Sequence, residues 1–288
     1  MKEMNMDLRR KNALITMTAA GICWGFTSFF IKFCPWSAFQ MLFVRGLMTA
    51  VFLTLYVYFI EKKQLVFNKR TFAVGIFVCF KYICFVSANK LTSAANAVAM
   101  YQSNVVVILI AGCIAAHALP RKKDIAVILA VGIGIALCFM GEFSFSGFKG
   151  NILAFISGIC TAVMFFLMGR SKSREENLTI IITGSALSSC MAFFASFGQS
   201  YIVTPAAIGS ILFLGLVQQS LAYIFYTKAT LVLDAFSCAV ISCIEPVISP
   251  IICFLLLGEE PGKFAGVGSL IIISSIVFWS ITNVSKVK

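Results

Sequence analysis

Charge is scarce in this chain and carboxylates are scarcer still: charged residues make up 12% of 288, with 23 Lys and Arg against 11 Asp and Glu. A soluble domain carries roughly 25% charged residues, so an ordinary water-soluble fold is excluded. Histidine occurs once, at His117, and no Cys-x-x-Cys pair exists. A zinc centre needs clustered thiolates or imidazoles. The cysteines, among them Cys23, Cys79, Cys84, Cys138, Cys160, Cys238, Cys243 and Cys253, therefore read as small apolar packing residues, and no metal or cofactor is implied. The absence of a GxxxxGK[ST] string excludes a P-loop ATPase within the chain. No long polar stretch could hold a separate soluble domain. No small-residue cleavage site closely follows the first apolar run, which reads as mature structure and not as a signal peptide.

What the chain has is apolar sequence, 60% of its residues, grouped in runs of about 18–24, long enough to cross a ~30 Å hydrocarbon core at 1.5 Å per residue. The runs predict helices over 13–33, 38–60, 71–89, 94–117, 124–141, 150–169, 178–198, 207–228, 235–257 and 264–283. The reading is an all-α integral membrane protein of ten transmembrane helices.

The net charge of +12 does not point to nucleic acid, which would be met by a basic face with interleaved aromatics. Here the basic residues sit in alternate short segments: Lys2, Arg9, Arg10 and Lys11; Lys62, Lys63, Lys69 and Arg70; Arg121, Lys122 and Lys123; Arg170, Lys172 and Arg174; Lys228; Lys286 and Lys288. The other helix ends hold only Lys32, Lys90, Lys149 and Lys263. This bias places both termini in the cytoplasm.

The two halves resemble each other. Ala20-Gly21-Ile22-Cys23 in the first helix parallels Ser157-Gly158-Ile159-Cys160 in the sixth, and a shift of 141 brings Tyr82 onto Tyr223, Ala88 onto Ala229 and Pro120 onto Pro261. A five-helix unit used twice is implied, with the second copy inverted because five is odd. Inverted repeats are a transporter architecture. The division is a tail at 1–12, a first repeat at 13–141, a second at 150–283 and a tail at 284–288.

Trp24-Gly25, Phe43-Val44-Arg45, Glu245-Pro246 and Leu257-Gly258-Glu259, in that order over about residues 12–284, resemble the drug/metabolite transporter superfamily, specifically its EamA-type ten-helix members. The resemblance implies a cavity between the first, third, fourth, sixth, eighth and ninth helices, and a bacterial cytoplasmic membrane. The chain departs from the family pattern in its fourth helix. Gln102-Ser103-Asn104 stands where a proline is usual, and His117 near the helix end where an acid is usual. The first helix carries no acid, so the proton coupling of the four-helix multidrug relatives is not carried over.

Ionisable groups at bilayer depth cost roughly 2.5–3.5 kcal/mol each on insertion scales, and three sit well inside the runs: Arg45, Lys81 and Glu245. Glu245 is a carboxylate at mid-span followed by Pro246, which removes a backbone N–H and makes a polar hinge. It reads either as a solute- or proton-binding group or as a scaffold acceptor. Lys81, beside Tyr82, can pair with Glu245 or with a substrate carboxylate. Arg45, near the outer end of its helix, matches the family's arginine there, and the resemblance implies a structural tie between helices. Neutral candidates for the wall are Trp24, Thr27, Tyr101, Gln102, Asn104, Gln218, Gln219 and Tyr223, with Ser28, Ser103, Thr161 and Phe165 to complete it. Gly21, Gly25, Gly132, Gly134, Gly266 and Gly268 mark close helix approaches.

These residues suit a secondary transporter that moves a small organic solute (a metabolite, an amino-acid-like compound or a drug) by alternating access, in the export direction. Its partners are the solute and the lipid bilayer, with no nucleic acid, and it works as a monomer or weak oligomer. A channel-like permease is the alternative. A membrane-embedded enzyme is the weaker one, because no nucleophile with a base and no metal cluster can be assembled.

The orientation is checked by labelling. In a cysteine-free background, Leu65→Cys and Lys122→Cys should stay unmodified by impermeant thiol reagents added to sealed right-side-out cells, and should react once the cells are opened. Labelling in sealed cells overturns the assignment.

Overall fold

The computed structural model describes residues 2–284 apart from 116, 118, 120, 121, 141–144, 172 and 261. The Pro120–Pro261 match and the charges of Arg121, Lys172, Lys286 and Lys288 lie outside the described residues, as does the tail at 285–288.

Among the described residues the chain is helical, with no strand. In order the helices are α1 (Lys2–Gly25), α2 (Thr27–Phe33), α3 (Ala38–Leu55), α4 (Lys69–Leu91), α5 (Ala94–Tyr101), α6 (Ser103–Ala115) and α7 (Lys122–Met140), then α8 (Phe145–Gly169), α9 (Arg174–Ser196), α10 (Pro205–Leu212), α11 (Ala222–Ala229), α12 (Ala235–Ile241), α13 (Glu245–Leu257) and α14 (Lys263–Val284). Several join into longer rods. Among the described residues eight rods are long and apolar enough to cross a membrane: Leu8–Phe33, Ala38–Ile60, Lys69–Leu91, Ala94–Ala115, Ser146–Gly169, Arg174–Ser196, Pro205–Ala229 and Ala235–Leu257. Shorter apolar stretches, Ile125–Gly134 and Gly266–Ser275, lie in α7 and α14.

Local chemistry sets the starts. Ser37, Asn68, Ser93, Ser173, Thr204 and Asp234 each accept from a backbone N–H in the first turn that follows, which satisfies a donor that the helix leaves free. These caps begin the third, sixth and seventh rods two to four residues before the apolar runs do. α1 also reaches back to Lys2 through the expected tail, because that stretch contains no helix breaker. Gly258 ends α13 in the left-handed conformation (φ 67°), with its N–H on the Phe254 carbonyl.

The distribution of polarity is that of a membrane protein. Phe59, Phe67, Phe194, Phe197 and Leu255 are exposed on the outside, whereas Asn89, Gln102, Asn151, Thr161, Asn177 and Gln219 are fully buried. Water would penalise both; lipid favours the first and forces the second to find partners. Of the cysteines read as packing residues, Cys79, Cys84, Cys160, Cys238, Cys243 and Cys253 are buried and Cys23 is half-buried; the side chain of Cys138 lies outside the described residues.

Loops meet at two ends. At one, Arg174 pairs with Glu61, Lys63 with Glu175 (3.6 Å) and Arg70 with Glu176 (3.6 Å). At the other, the Trp36 indole donates to the Ile202 carbonyl (2.8 Å), Gln40 Nε2 to the Ser200 carbonyl (2.9 Å) and Lys90 to the Cys34 carbonyl (2.7 Å). There Glu259 also binds Lys32 at 3.1 Å and accepts from the Ala94 N–H, the first of α5, at 2.6 Å.

In the interior α4 packs against α8 and α9, α3 against α9, α1 against α11, α5 against α13 and α7 against α14. The tightest approaches include glycines beyond those the sequence suggested. A Cβ at Gly184 would lie 2.4 Å from Val78 and 2.9 Å from the Gly75 carbonyl, so α4 and α9 touch backbone to backbone. Gly134 approaches the Gly268 carbonyl in the same way, whereas Gly132 and Gly266 have nothing within 4 Å.

Gly184→Leu should therefore lower the thermal unfolding midpoint of the detergent-purified protein by the equivalent of about 1–3 kcal/mol of overpacking, while Gly132→Leu should leave it unchanged. Equal midpoints for the two variants would show that this contact does not limit stability.

Candidate functional site

Three rods are broken near the middle of their length. The first breaks at Phe26, between α1 and α2; the fourth at Gln102, between α5 and α6; the eighth at a 3-10 turn, Ser242–Ile244, between α12 and α13. The seventh widens into a π-helical segment, Phe213–Leu221. Backbone groups freed at a break must be satisfied within the protein. Thr27 Oγ1 donates to the Trp24 carbonyl (2.6 Å), Asn104 Nδ2 to the Tyr101 carbonyl (2.8 Å) and Ser242 Oγ to the Ala239 carbonyl (2.6 Å). Pro246 falls in the first turn of α13, where a missing N–H costs least.

The breaks surround a small cavity lined by Trp24, Arg45, Lys81, Tyr82, Phe85, Tyr101, Gln218 and Glu245. Its volume is about 20 Å³, room for a single water and not for an organic solute. Lys81 is its centre. The ammonium donates to Tyr223 Oη at 2.5 Å and lies 5.2–5.9 Å from the ring centroids of Tyr223, Tyr82, Trp24 and Tyr101. Four ring faces within ~6 Å of one cation form an aromatic cage. Glu245, 3% exposed, opens α13 at the same cavity. None of the ion pairs among the described residues joins Glu245 to Lys81 or Arg45.

Arg45 is 2% exposed and lies over the Tyr82 ring at 5.3 Å. Its Nε and Nη1 have no hydrogen-bond partner. The sequence reading placed it at the outer end of its helix as a tie. It lines the cavity because seven residues into α3 is already ~10 Å of depth, and the long side chain reaches further.

Aromatic layers flank the charges. On one side Phe85, one turn along α4 from Lys81, meets Tyr101 at 5.0 Å. On the other, Phe165 stacks on Tyr226 at 4.7 Å, and Trp24 lies 5.9 Å from Tyr226. Phe165 and Tyr226 are about one turn from the ends of α8 at Gly169 and of α11 at Ala229.

Of the residues singled out from sequence, Trp24, Lys81, Tyr82, Tyr101, Gln218 and Glu245 come together around the cavity, with Tyr223 bonded to Lys81. Arg45 joins them and Phe165 flanks them, whereas Thr27, Gln102, Asn104 and Gln219 face elsewhere. Thr27 and Asn104 hold the breaks, and Gln102 Oε1 accepts from Asn104 (3.2 Å). Gln219 donates to Ser185 Oγ of α9 (3.1 Å), on a different face of the helix from Gln218. Phe85 and Tyr226 were missed. The available signal was spacing, because each follows a named tyrosine (Tyr82, Tyr223) by three residues and so shares its helix face.

The model of the EamA-like transporter family matches residues 11–140 and again residues 148–281. A curated protein of Archaeoglobus fulgidus, described as an uncharacterized transporter, is 24% identical over 196 residues, 66% of this chain and 68% of that protein. A solved crystal structure superposes with a TM-score of 0.71 over 94% of this chain and 98% of its own, at 14% identity, which shows a common fold. With two family matches spanning nearly its whole length and an apolar helical bundle around a buried charged site, this chain is a multi-pass membrane protein that belongs to the EamA-like transporter family of the drug/metabolite transporter superfamily.

Proposed function

We propose that this protein is a secondary transporter that moves a small organic solute across the cytoplasmic membrane by alternating access, outward, with both termini inside. The observation that carries the reading is the buried group of Arg45, Lys81 and Glu245 in a cavity ringed by aromatics and broken helices. Charges at this depth are retained at a cost, and broken helices at mid-membrane build solute sites. A cavity of about 20 Å³ must widen to admit a solute, as an occluded state of a carrier must.

The finer architecture in this reading is ten spans, with α7 and α14 as the fifth and tenth, in two inverted five-helix repeats. The packing supports it. Exchanging the halves turns the α4–α8 contact into the α11–α1 contact and the α5–α13 contact into the α12–α6 contact, and maps the α3–α9 and α7–α14 contacts onto themselves. The shift of 141 that relates Tyr82 to Tyr223 also relates Phe85 to Tyr226 and the break at Gln102 to Cys243 within the 3-10 turn. Paired aromatic layers then serve as the two gates: Phe85 with Tyr101 outside, Tyr226 with Phe165 inside. One copy carries both halves of the cavity, so a monomer suffices.

Proteoliposomes holding the purified chain should take up at least one pool from a panel of amino acids, amines and organic acids with saturation. Glu245→Gln should lower that uptake about ten-fold or more, with insertion unchanged. Uptake linear in concentration would assign a channel, no uptake of any pool would remove the transport reading, and normal flux in Glu245→Gln would reduce the carboxylate to scaffold.

A further inference from the structure

Two cations and one carboxylate line the central cavity, and the cation in excess is the unpaired one. Arg45 is 2% exposed, its Nε and Nη1 lack partners, and its contact in the wall is the face of Tyr82. Lys81, by contrast, has Tyr223 Oη and four ring faces around it. A guanidinium stays ionised in any protein setting, and an uncompensated buried charge is strongly destabilising. No carboxylate besides Glu245 lines the cavity.

We infer that Arg45 is the anion-binding element of the transport site, and that the solute is a carboxylate whose negative charge completes this cavity. The inference deepens the transport reading and rests on it. Four features lead to that class. The fork of the guanidinium matches a planar carboxylate with two parallel hydrogen bonds. The formal balance of Arg45, Lys81 and Glu245 is one positive charge, which a monoanion neutralises. A phosphate monoester, at about −1.5 to −2, overshoots it. Trp24, Tyr82, Phe85 and Tyr101 offer an apolar wall for the body of the solute, which a bare inorganic anion would leave unused.

The test uses the full chain in detergent and matched sets of ligands that share one skeleton: 3-phenylpropionate, 3-phenylpropanamide and 3-phenylpropylamine, with corresponding indole and straight-chain alkyl sets. Dissociation constants come from calorimetry, supported by shifts of the thermal midpoint. The expected result is saturable binding of the carboxylate in at least one set, with the amide and the amine weaker by about ten-fold or more. Arg45→Gln should abolish the preference for the carboxylate, and Arg45→Lys should restore part of it, because charge returns without the fork. If Arg45→Gln does not fold, the ligand sets on the unaltered chain still decide. Amines or amides that bind as well as carboxylates, no carboxylate binding in any set, or a site that responds to chloride and not to carboxylates each overturn the inference. So does an Arg45→Gln protein with unchanged preference. Saturable uptake of an amine into proteoliposomes would keep the transport reading and sink the carboxylate site. Carboxylate binding that depends on Arg45, with no saturable uptake, would keep the site and sink the transport reading.

Discussion

The structure is organised by the cost of holding charge where there is no water. Lys81 lies about twelve residues from the start of α4 and ten from its end, too deep for its ammonium to reach either interface. Its stabilisation must come from within the bundle, and the bundle supplies it as ring faces and one phenol oxygen: Trp24 from the first rod, Tyr82 beside it, Tyr101 from the fourth and Tyr223 from the seventh. Four contributors on separate rods converge only if those rods meet. Glu245 and Arg45 then enter the same space from the eighth and second rods.

Convergence of this kind requires rods that bend, and bending exposes backbone. The breaks at Phe26, Gln102 and Ser242–Ile244 are each closed by a nearby hydroxyl or amide, Thr27, Asn104 and Ser242, that donates to a freed carbonyl. This division of labour explains why so many polar side chains are buried in an apolar chain. Part of them make the cavity wall, and part repair the helices that shape it. Close glycine contacts let the rods approach: Gly25 lies against Ile248 of α13, and Gly158 against the Tyr101 carbonyl and Ser103.

The short motifs divide along the same lines. Trp24 faces the cavity while Gly25 admits α13; Arg45 faces the cavity while the Phe43 carbonyl accepts from Ser189 of α9 at 2.7 Å. In Leu257-Gly258-Glu259, Gly258 turns the chain out of α13 and Glu259 ties that turn to Lys32 and to the start of α5. Half-buried pairs of this sort at helix ends are individually worth little, roughly 0–1 kcal/mol, but here this one binds the ends of rods that carry the cavity residues.

Much of this was legible beforehand, for a physical reason. Lipid demands about twenty apolar residues per crossing, so membrane class, most helix positions within a few residues (the start of α1 apart) and the deep ionisable groups Arg45, Lys81 and Glu245 follow from the one-dimensional pattern. The pattern could not say where a side chain points at a break. Gln102 and Gln218 are both amides inside apolar runs, yet one bonds Asn104 at the break of its own rod and the other stands in the cavity wall. Nor could it show that Arg45 reaches the centre, since depth along a helix does not reveal what stands opposite. By itself the sequence determined that the chain is a helical membrane protein with a few expensive charges. Only the tertiary structure decided which of them share a cavity, because partners for a buried charge come from other helices, brought together by packing that local pattern does not encode.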